Sequence, residues 1–179
     1  MTKRILTNEV YLSVMDKFLS FHSVSWLGAK RFEVVERPIE AMSSIFEVGP
    51  GMHVEDLHRD GSIWYNKLTG IQREKFTGNY AISFFVAGTR TNRTNGATRF
   101  IPGSRLTVAD SQPNPSKTVD AERDAGDAFF MLSSCYHGAG GKSTEDEMRL
   151  VHALFMQQTQ LCQVCALMSL DGMFLHASR

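Results

Sequence analysis

The feature of the sequence most able to do chemistry is the segment from Leu57 to Gly61, which reads Leu-His-Arg-Asp-Gly. We expect a β-strand here, on which His58 and Asp60 would share one face, about 6–7 Å apart along the backbone. An imidazole and a carboxylate placed together are two of the three ligands in the 2-His-1-carboxylate site of non-haem iron oxygenases. A His-x-Asp pair alone is more often a surface polar pair, so the interpretation depends on residues further along the chain.

Two later residues could complete such a site, and each also has an ordinary structural interpretation. His137 stands directly before Gly138, where it either supplies a second imidazole or caps a surface turn. Arg149 follows an acidic stretch, and it either faces a buried site or forms an ion pair at the rim with Glu145 or Asp146. The residue types by themselves leave both alternatives open.

The elements that must position these residues are predicted from apolar spacing. Steps of three and four residues predict a helix from Asn8 to His22, with Thr7 or Asn8 as its N-cap, covering one face of a sheet. Alternation and β-branched or aromatic content predict short strands. These are Phe32–Glu36, Ser44–Val48, the strand carrying His58 and Asp60, Asn79–Ala87, Ala97–Ser104, Asp127–His137 (with Phe129, Met131, Ser133, Cys135 and His137 on one face) and Arg149–Gln157 (with Arg149, Val151, Ala153 and Phe155 on one face and Leu150, His152 and Leu154 on the other). Residues 62–78 are predicted to be a long loop, or a loop with a short helix, with a function such as that of a lid. The pattern favours a mainly β fold, an antiparallel sandwich or barrel with flanking helices.

Composition is that of an ordinary globular protein and excludes several classes of function. Basic and acidic residues number 19 each, so no net charge attracts nucleic acid or an anionic membrane. Three cysteines without a disulfide pattern indicate a reducing, intracellular setting. We recognise no signal peptide, membrane span or peroxisomal address. We therefore expect one cytoplasmic domain over residues 1–179.

Several short motifs follow one another in a specific order between Phe46 and Gln157. They are His58-x-Asp60, the run from Asn95 to Ser104, Gly126-Asp127-Ala128-x-Phe130, His137-Gly138 and Arg149. This order resembles the phytanoyl-CoA dioxygenase family of Fe(II)- and 2-oxoglutarate-dependent oxygenases. The residues of the first two motifs are most similar to those of fungal members that tailor meroterpenoids and alkaloids. The resemblance implies a double-stranded β-helix, the cupin-like jelly-roll.

The resemblance also implies a role for each motif. His58, Asp60 and His137 would bind Fe(II) and leave positions for 2-oxoglutarate and O2. Arg149 would bind the distal carboxylate of 2-oxoglutarate through its guanidinium fork, and Thr98 would direct its hydroxyl at the same cosubstrate. Ascorbate is expected to stimulate turnover, and a homodimer is implied.

The sequence departs from the family in three places. Glu55 stands where fungal members usually carry a glutamine that contacts 2-oxoglutarate, and a carboxylate there would repel the cosubstrate. Strand parity puts Glu55 off the face of His58 unless a bulge or bend turns it inward. Only 57 residues precede His58, and the tail after Gln157 no longer resembles the family, so a truncated gene product is one expectation.

The function expected on these grounds is that of a dioxygenase acting on a small apolar polycyclic metabolite. It would hydroxylate, desaturate or rearrange that metabolite in terpenoid or alkaloid biosynthesis. One alternative is a non-catalytic or truncated relative that serves as an interaction or regulatory protein. An acyl-CoA hydroxylase is a further alternative.

Overall fold

The structure is a computed structural model and describes residues 2–60, 80–107 and 111–159. The described residues form the following elements: α1 (Thr2–Leu6), α2 (Glu9–Leu19), β1 (Phe21–Leu27), β2 (Lys30–Glu36), β3 (Ile39–Val48), β4 (Ala81–Ala87), β5 (Thr98–Phe100), 3₁₀ turns at Ser104–Leu106 and Pro115–Lys117, β6 (Val119–Asp120), β7 (Ala128–Leu132), β8 (His137–Ala139) and β9 (Arg149–Gln157). The predicted lid at residues 62–78 and the tail from residue 160 lie outside the described residues. None of the described helices is long and apolar enough to cross a bilayer.

Helix α2 begins and packs as its apolar spacing predicts. The Asn8 side chain accepts a hydrogen bond from the backbone N–H of Tyr11 at 3.1 Å and so caps the first turn. Tyr11, Met15 and Leu19, four residues apart, are buried against Ile82 of β4 and the neighbouring apolar residues of β4 and β9. The helix ends at Leu19 rather than at His22, because Phe21 already begins β1. Strand β1 was not predicted; it pairs with β2 across a tight turn in which Gly28 has φ +60°.

Two antiparallel sheets form the body of the molecule. One has the strand order β3-β9-β4-β7, and the other has the order β6-β5-β8. Leu154 and Met156 of β9 face helix α2, whereas Val151 and Ala153 face a second apolar cluster between the sheets. This is the alternation predicted for Arg149–Gln157, and the two-sheet arrangement is the predicted jelly-roll. The sheets are therefore positioned to hold a site between them.

Several predicted strands have other bounds in the structure; Ala97–Ser104, for example, is a strand only over Thr98–Phe100. Two further predicted strands are not single regular strands. The stretch from Asp127 to His137 is not one strand but two, β7 and β8, which belong to different sheets and are joined by a turn at residues 133–136. The period-2 burial continues through the turn, because Ser133, Cys135 and His137 all point between the sheets. The segment carrying His58 and Asp60 forms no regular strand; His58 makes an isolated bridge with His137.

Candidate metal centre

The segment before Asp60 is held beside β8 by a few backbone hydrogen bonds. The N–H of His58 donates to the carbonyl of His137, and the N–H of His137 donates back to the carbonyl of His58, both at 2.9 Å. Three residues before His58, the N–H of Glu55 donates to the carbonyl of Ala139 at 3.0 Å. This single bridge joins two residues that are far apart in sequence. It brings their side chains to the same point between the sheets, although no continuous series of backbone hydrogen bonds joins the two segments.

The side chains of His58, Asp60 and His137 converge there. Their potential ligand atoms all lie within 4.8 Å of one another. His58 Nε2 lies 3.8 Å from Asp60 Oδ1, and His137 Nε2 lies 3.5 Å from Asp60 Oδ2. His137 is buried, whereas His58 and Asp60 are partly exposed. Two imidazole nitrogens and one carboxylate oxygen in this arrangement are a suitable donor set for Fe(II).

The backbone fixes which nitrogen of each imidazole faces the centre. His58 Nδ1 lies 3.0 Å from the carbonyl of Asp56, and His137 Nδ1 lies 3.0 Å from the carbonyl of Cys135. A carbonyl only accepts, so each Nδ1 carries the proton and each Nε2 keeps its lone pair. Both rings thereby present Nε2 to the point where the three side chains converge.

Arg59, between the two ligand positions, anchors the irregular segment. Its guanidinium donates to the carbonyl of Ser104 and to Oγ1 of Thr107, each at 2.7 Å. It also stacks over the ring of Tyr136, 4.0 Å from the centroid. Arg59 is buried, and these side-chain contacts hold the segment where a regular strand would be held by a series of backbone hydrogen bonds.

A cavity of about 880 Å3 between the sheets contains the three converging residues together with Arg149 and Thr98. Arg149 is only 3% exposed, whereas Glu145 and Asp146 are on the surface, so the rim ion pair is not formed. Arg149 Nη1 donates to Thr98 Oγ1 at 3.5 Å, and its Nε has no hydrogen-bond partner among the described residues. Burial lowers the pKa of Arg149, and the negative charge of Glu55 acts in the opposite direction. An unsatisfied buried guanidinium is well suited to bind an anion.

Glu55 points into the same cavity. Its Oε2 accepts a hydrogen bond from the N–H of Ala139 at 2.8 Å, and its Oε1 lies 3.9 Å from His58 Nδ1. Strand parity would have directed it away from His58. Because residues 52–57 form no strand, the alternation of faces does not apply, and the half-exposed side chain of Glu55 lines the cavity.

The structure also shows contacts at the candidate site that no sequence pattern indicated. Ser83 donates a hydrogen bond to Asp60, and Arg59 clamps the segment that carries two of the converging residues. The partners in these contacts lie 23 and 45 positions apart. Their only sequence signal is a polar residue inside an apolar strand for Ser83, and an arginine between two candidate ligands for Arg59.

Comparison with known proteins agrees with this geometry. The model of the family described as phytanoyl-CoA dioxygenase (PhyH) matches residues 2–151. The dioxygenase himG of Aspergillus japonicus is 38% identical over 159 residues, covering 88% of this chain and 49% of himG. The dioxygenase peniF of Penicillium patulum is 34% identical over 147 residues, covering 81% of this chain and 48% of peniF. The chain thus spans about half the length of the curated relatives it matches.

Solved structures share the fold at low sequence identity. The non-haem monooxygenase ThoJ, as its nickel complex, superposes with a TM-score of 0.58 at 18% identity, covering 87% of this chain and 53% of ThoJ. The non-haem α-ketoglutarate-dependent epimerase SnoN from nogalamycin biosynthesis superposes with a TM-score of 0.51 at 19% identity, covering 68% of this chain and 47% of SnoN. These likenesses establish the fold of the described sheets.

Proposed function

The chain belongs to the phytanoyl-CoA dioxygenase family, and on that premise we propose that it forms the core of an Fe(II)- and 2-oxoglutarate-dependent dioxygenase. One observation carries the proposal: a candidate 2-His-1-carboxylate centre and a buried arginine with no anionic partner among the described residues open onto one cavity. A three-ligand centre would leave positions on the metal open for a bidentate 2-oxo acid and O2, and the arginine would bind the far carboxylate of that acid. As one domain, residues 1–179 would contribute the whole of this centre.

In the proposed mechanism, each residue binds or orients a reactant. His58 and His137 would hold Fe(II) through Nε2, and Asp60 would hold it through a carboxylate oxygen. Arg149 would bind the distal carboxylate of 2-oxoglutarate, and the Thr98 hydroxyl would donate to the same carboxylate. Once bound, iron and 2-oxoglutarate supply the oxidative chemistry with O2. The surrounding sheets exclude water and set the distance between the substrate and the metal.

The substrate that suits the cavity is a small apolar metabolite. Met42, Ile45, Phe46 and Met52 line it and are 42–60% exposed, which leaves apolar surface free for contact with a ligand. A volume of about 880 Å3 accommodates a fused-ring compound. We propose hydroxylation, desaturation or rearrangement of such a polycycle. A role in terpenoid or alkaloid biosynthesis, a homodimer, stimulation by ascorbate and a cytoplasmic location complete the proposal and rest on family membership alone.

The test is conversion of 2-oxoglutarate to succinate by the full chain with Fe(II), with and without ascorbate. We expect succinate from the unmodified chain and none from His137→Ala. His22→Ala removes an exposed histidine of the β1–β2 hairpin and serves as the matched control, with activity unchanged. If the unmodified chain forms no more succinate than His137→Ala, the chain is not a dioxygenase by itself.

That negative result would favour a second candidate, a non-catalytic relative with an interaction role. The observation in its favour is Glu55, whose carboxylate shares the cavity with Arg149 and adds negative charge where an anionic cosubstrate would bind. The two candidates differ in 2-oxoglutarate binding, which calorimetry of the Fe(II)-loaded chain measures directly.

A further inference from the structure

We infer that the hydroxyls of Ser83 and Ser133 form a relay that positions Asp60 for metal binding. The inference rests on the proposed metal centre and adds two positioning residues to it. Neither serine is a candidate ligand. Both lie behind Asp60: Ser83 is within β4, and Ser133 is the first residue after the neighbouring strand β7.

The relay consists of two hydrogen bonds, and both serines that form it are buried. Ser83, within β4, donates to Asp60 Oδ2 at 3.0 Å. Ser133, just after β7, lies with its Oγ 2.9 Å from the Oγ of Ser83. Ser83 is fully buried and Ser133 is 2% exposed. The backbone fixes their spacing, because the N–H of Ser133 donates to the carbonyl of Ala81 at 3.1 Å.

The direction of the relay follows from counting protons. A serine hydroxyl has one proton to donate, and that of Ser83 is given to Asp60. The bond between the two serines must therefore run from the Ser133 hydroxyl to the oxygen of Ser83. The chain of donors ends on Asp60, whose Oδ2 accepts from Ser83. Each bond polarises the next, so the two together hold Asp60 more firmly than Ser83 alone.

Asp60 needs such support because its backbone does not provide it. It lies at a turn after the single bridge at His58, and rotation about the last side-chain bond of aspartate is broad. The hydrogen bond at Oδ2 limits this rotation and fixes the carboxylate relative to Nε2 of both His58 and His137. Two hydroxyls buried beside apolar residues such as Phe85 and Met131 are costly unless their hydrogen bonds are satisfied. Asp60 provides the acceptor at the end of the relay.

The test uses metal binding without cosubstrate, so its readout does not depend on turnover. Co(II) is titrated into the full chain, and both affinity and the visible absorption of the bound ion are recorded. Ser83→Ala is expected to weaken binding roughly 10- to 100-fold and to change the absorption, as for other residues that orient metal ligands. Ser133→Ala is expected to have a smaller effect in the same direction. The double variant should match Ser83→Ala alone, because Ser133 acts only through Ser83.

Ser134→Ala is the matched control. Ser134 is adjacent to Ser133, and its buried hydroxyl has no hydrogen-bond partner among the described residues. Its replacement should leave Co(II) affinity and absorption unchanged. If Ser83→Ala does not fold, Ser133→Ala carries the test from the far end of the relay. The inference is overturned if the unmodified chain binds Co(II) and both serine variants bind it with unchanged affinity and absorption. If the unmodified chain binds no Co(II), the metal centre itself is overturned.

Discussion

Replacing Arg149 by lysine tests the proposed cosubstrate site most directly. Arg149 is 3% exposed, donates only a long hydrogen bond of 3.5 Å to Thr98, and leaves Nε without a partner among the described residues. Lysine keeps the positive charge but presents a single ammonium rather than two parallel N–H groups. The substitution therefore removes one charge-assisted hydrogen bond to the bound carboxylate and retains the Coulomb attraction.

A hydrogen bond to a charged group contributes about 1.5–3 kcal/mol, which corresponds to roughly ten- to a hundredfold in the dissociation constant. Calorimetric titration of 2-oxoglutarate into the chain loaded with Fe(II) under nitrogen should show this loss. The affinity for Fe(II) should be unchanged, because Arg149 is not one of the converging ligands. Arg90→Lys, on an exposed ion pair with Asp124, is the control and should bind 2-oxoglutarate normally.

Two outcomes would refute the reasoning. Unchanged 2-oxoglutarate affinity in Arg149→Lys would mean that the cosubstrate is anchored elsewhere. An equal loss of Fe(II) affinity would mean that the substitution disturbs the centre as a whole, and the separate anchoring role would be wrong.

Four further changes have defined expectations. Alanine at all three candidate ligands should abolish Co(II) uptake while circular dichroism still shows a β-protein; full retention of the metal by elemental analysis would exclude these ligands. Arg59→Lys loses the planar guanidinium that stacks on Tyr136 and makes two short hydrogen bonds, and should lower the free energy of unfolding by about 1–3 kcal/mol in urea. Arg31→Lys, on an exposed ion pair, should have almost no effect. Gly96→Ala should lower the free energy of unfolding by about 2–4 kcal/mol, since φ is +86° and a Cβ would lie 2.8 Å from a carbonyl oxygen. Gly103→Ala, where φ is +74° but the space is open, should lower it by only about 1–2 kcal/mol. Equal losses in the two variants would contradict the predicted clash. Glu55→Gln keeps an oxygen that accepts the N–H of the neighbouring strand and removes the negative charge, so 2-oxoglutarate should bind more tightly and succinate formation at pH 7 should rise; identical titrations would show that the charge is irrelevant.

Local patterns in the sequence were sufficient for elements that bury one regular face. Apolar spacing predicted helix α2, although the helix ends at Leu19 rather than His22, and Asn8 was one of the two residues predicted as its N-cap. Strand β9 has the bounds and the two faces that alternation predicted. In both, the repeat of the backbone conformation sets which side chains are buried, and that repeat can be seen in the sequence itself. The order of the motifs likewise indicated the family, which the match over residues 2–151 confirms.

Tertiary structure decided what depends on irregular backbone and on contacts between distant residues. His58 and Asp60 were predicted on a strand, but one bridge to His137 and the buried side chain of Arg59 hold them instead. Glu55 lines the cavity with a half-exposed side chain, because its segment forms no regular strand and its side chains need not alternate between two faces.

The same reason explains why the surroundings of Asp60 and Arg149 were not predicted. Whether Arg149 reached the rim or the interior was open until the two sheets were seen to enclose it. The contact of Ser83 with Ser133 depends on the register between β4 and β7, which brings together residues 50 positions apart. Spacing along a chain determines which face a residue occupies within one element, whereas only the packing of elements against each other determines what that face meets.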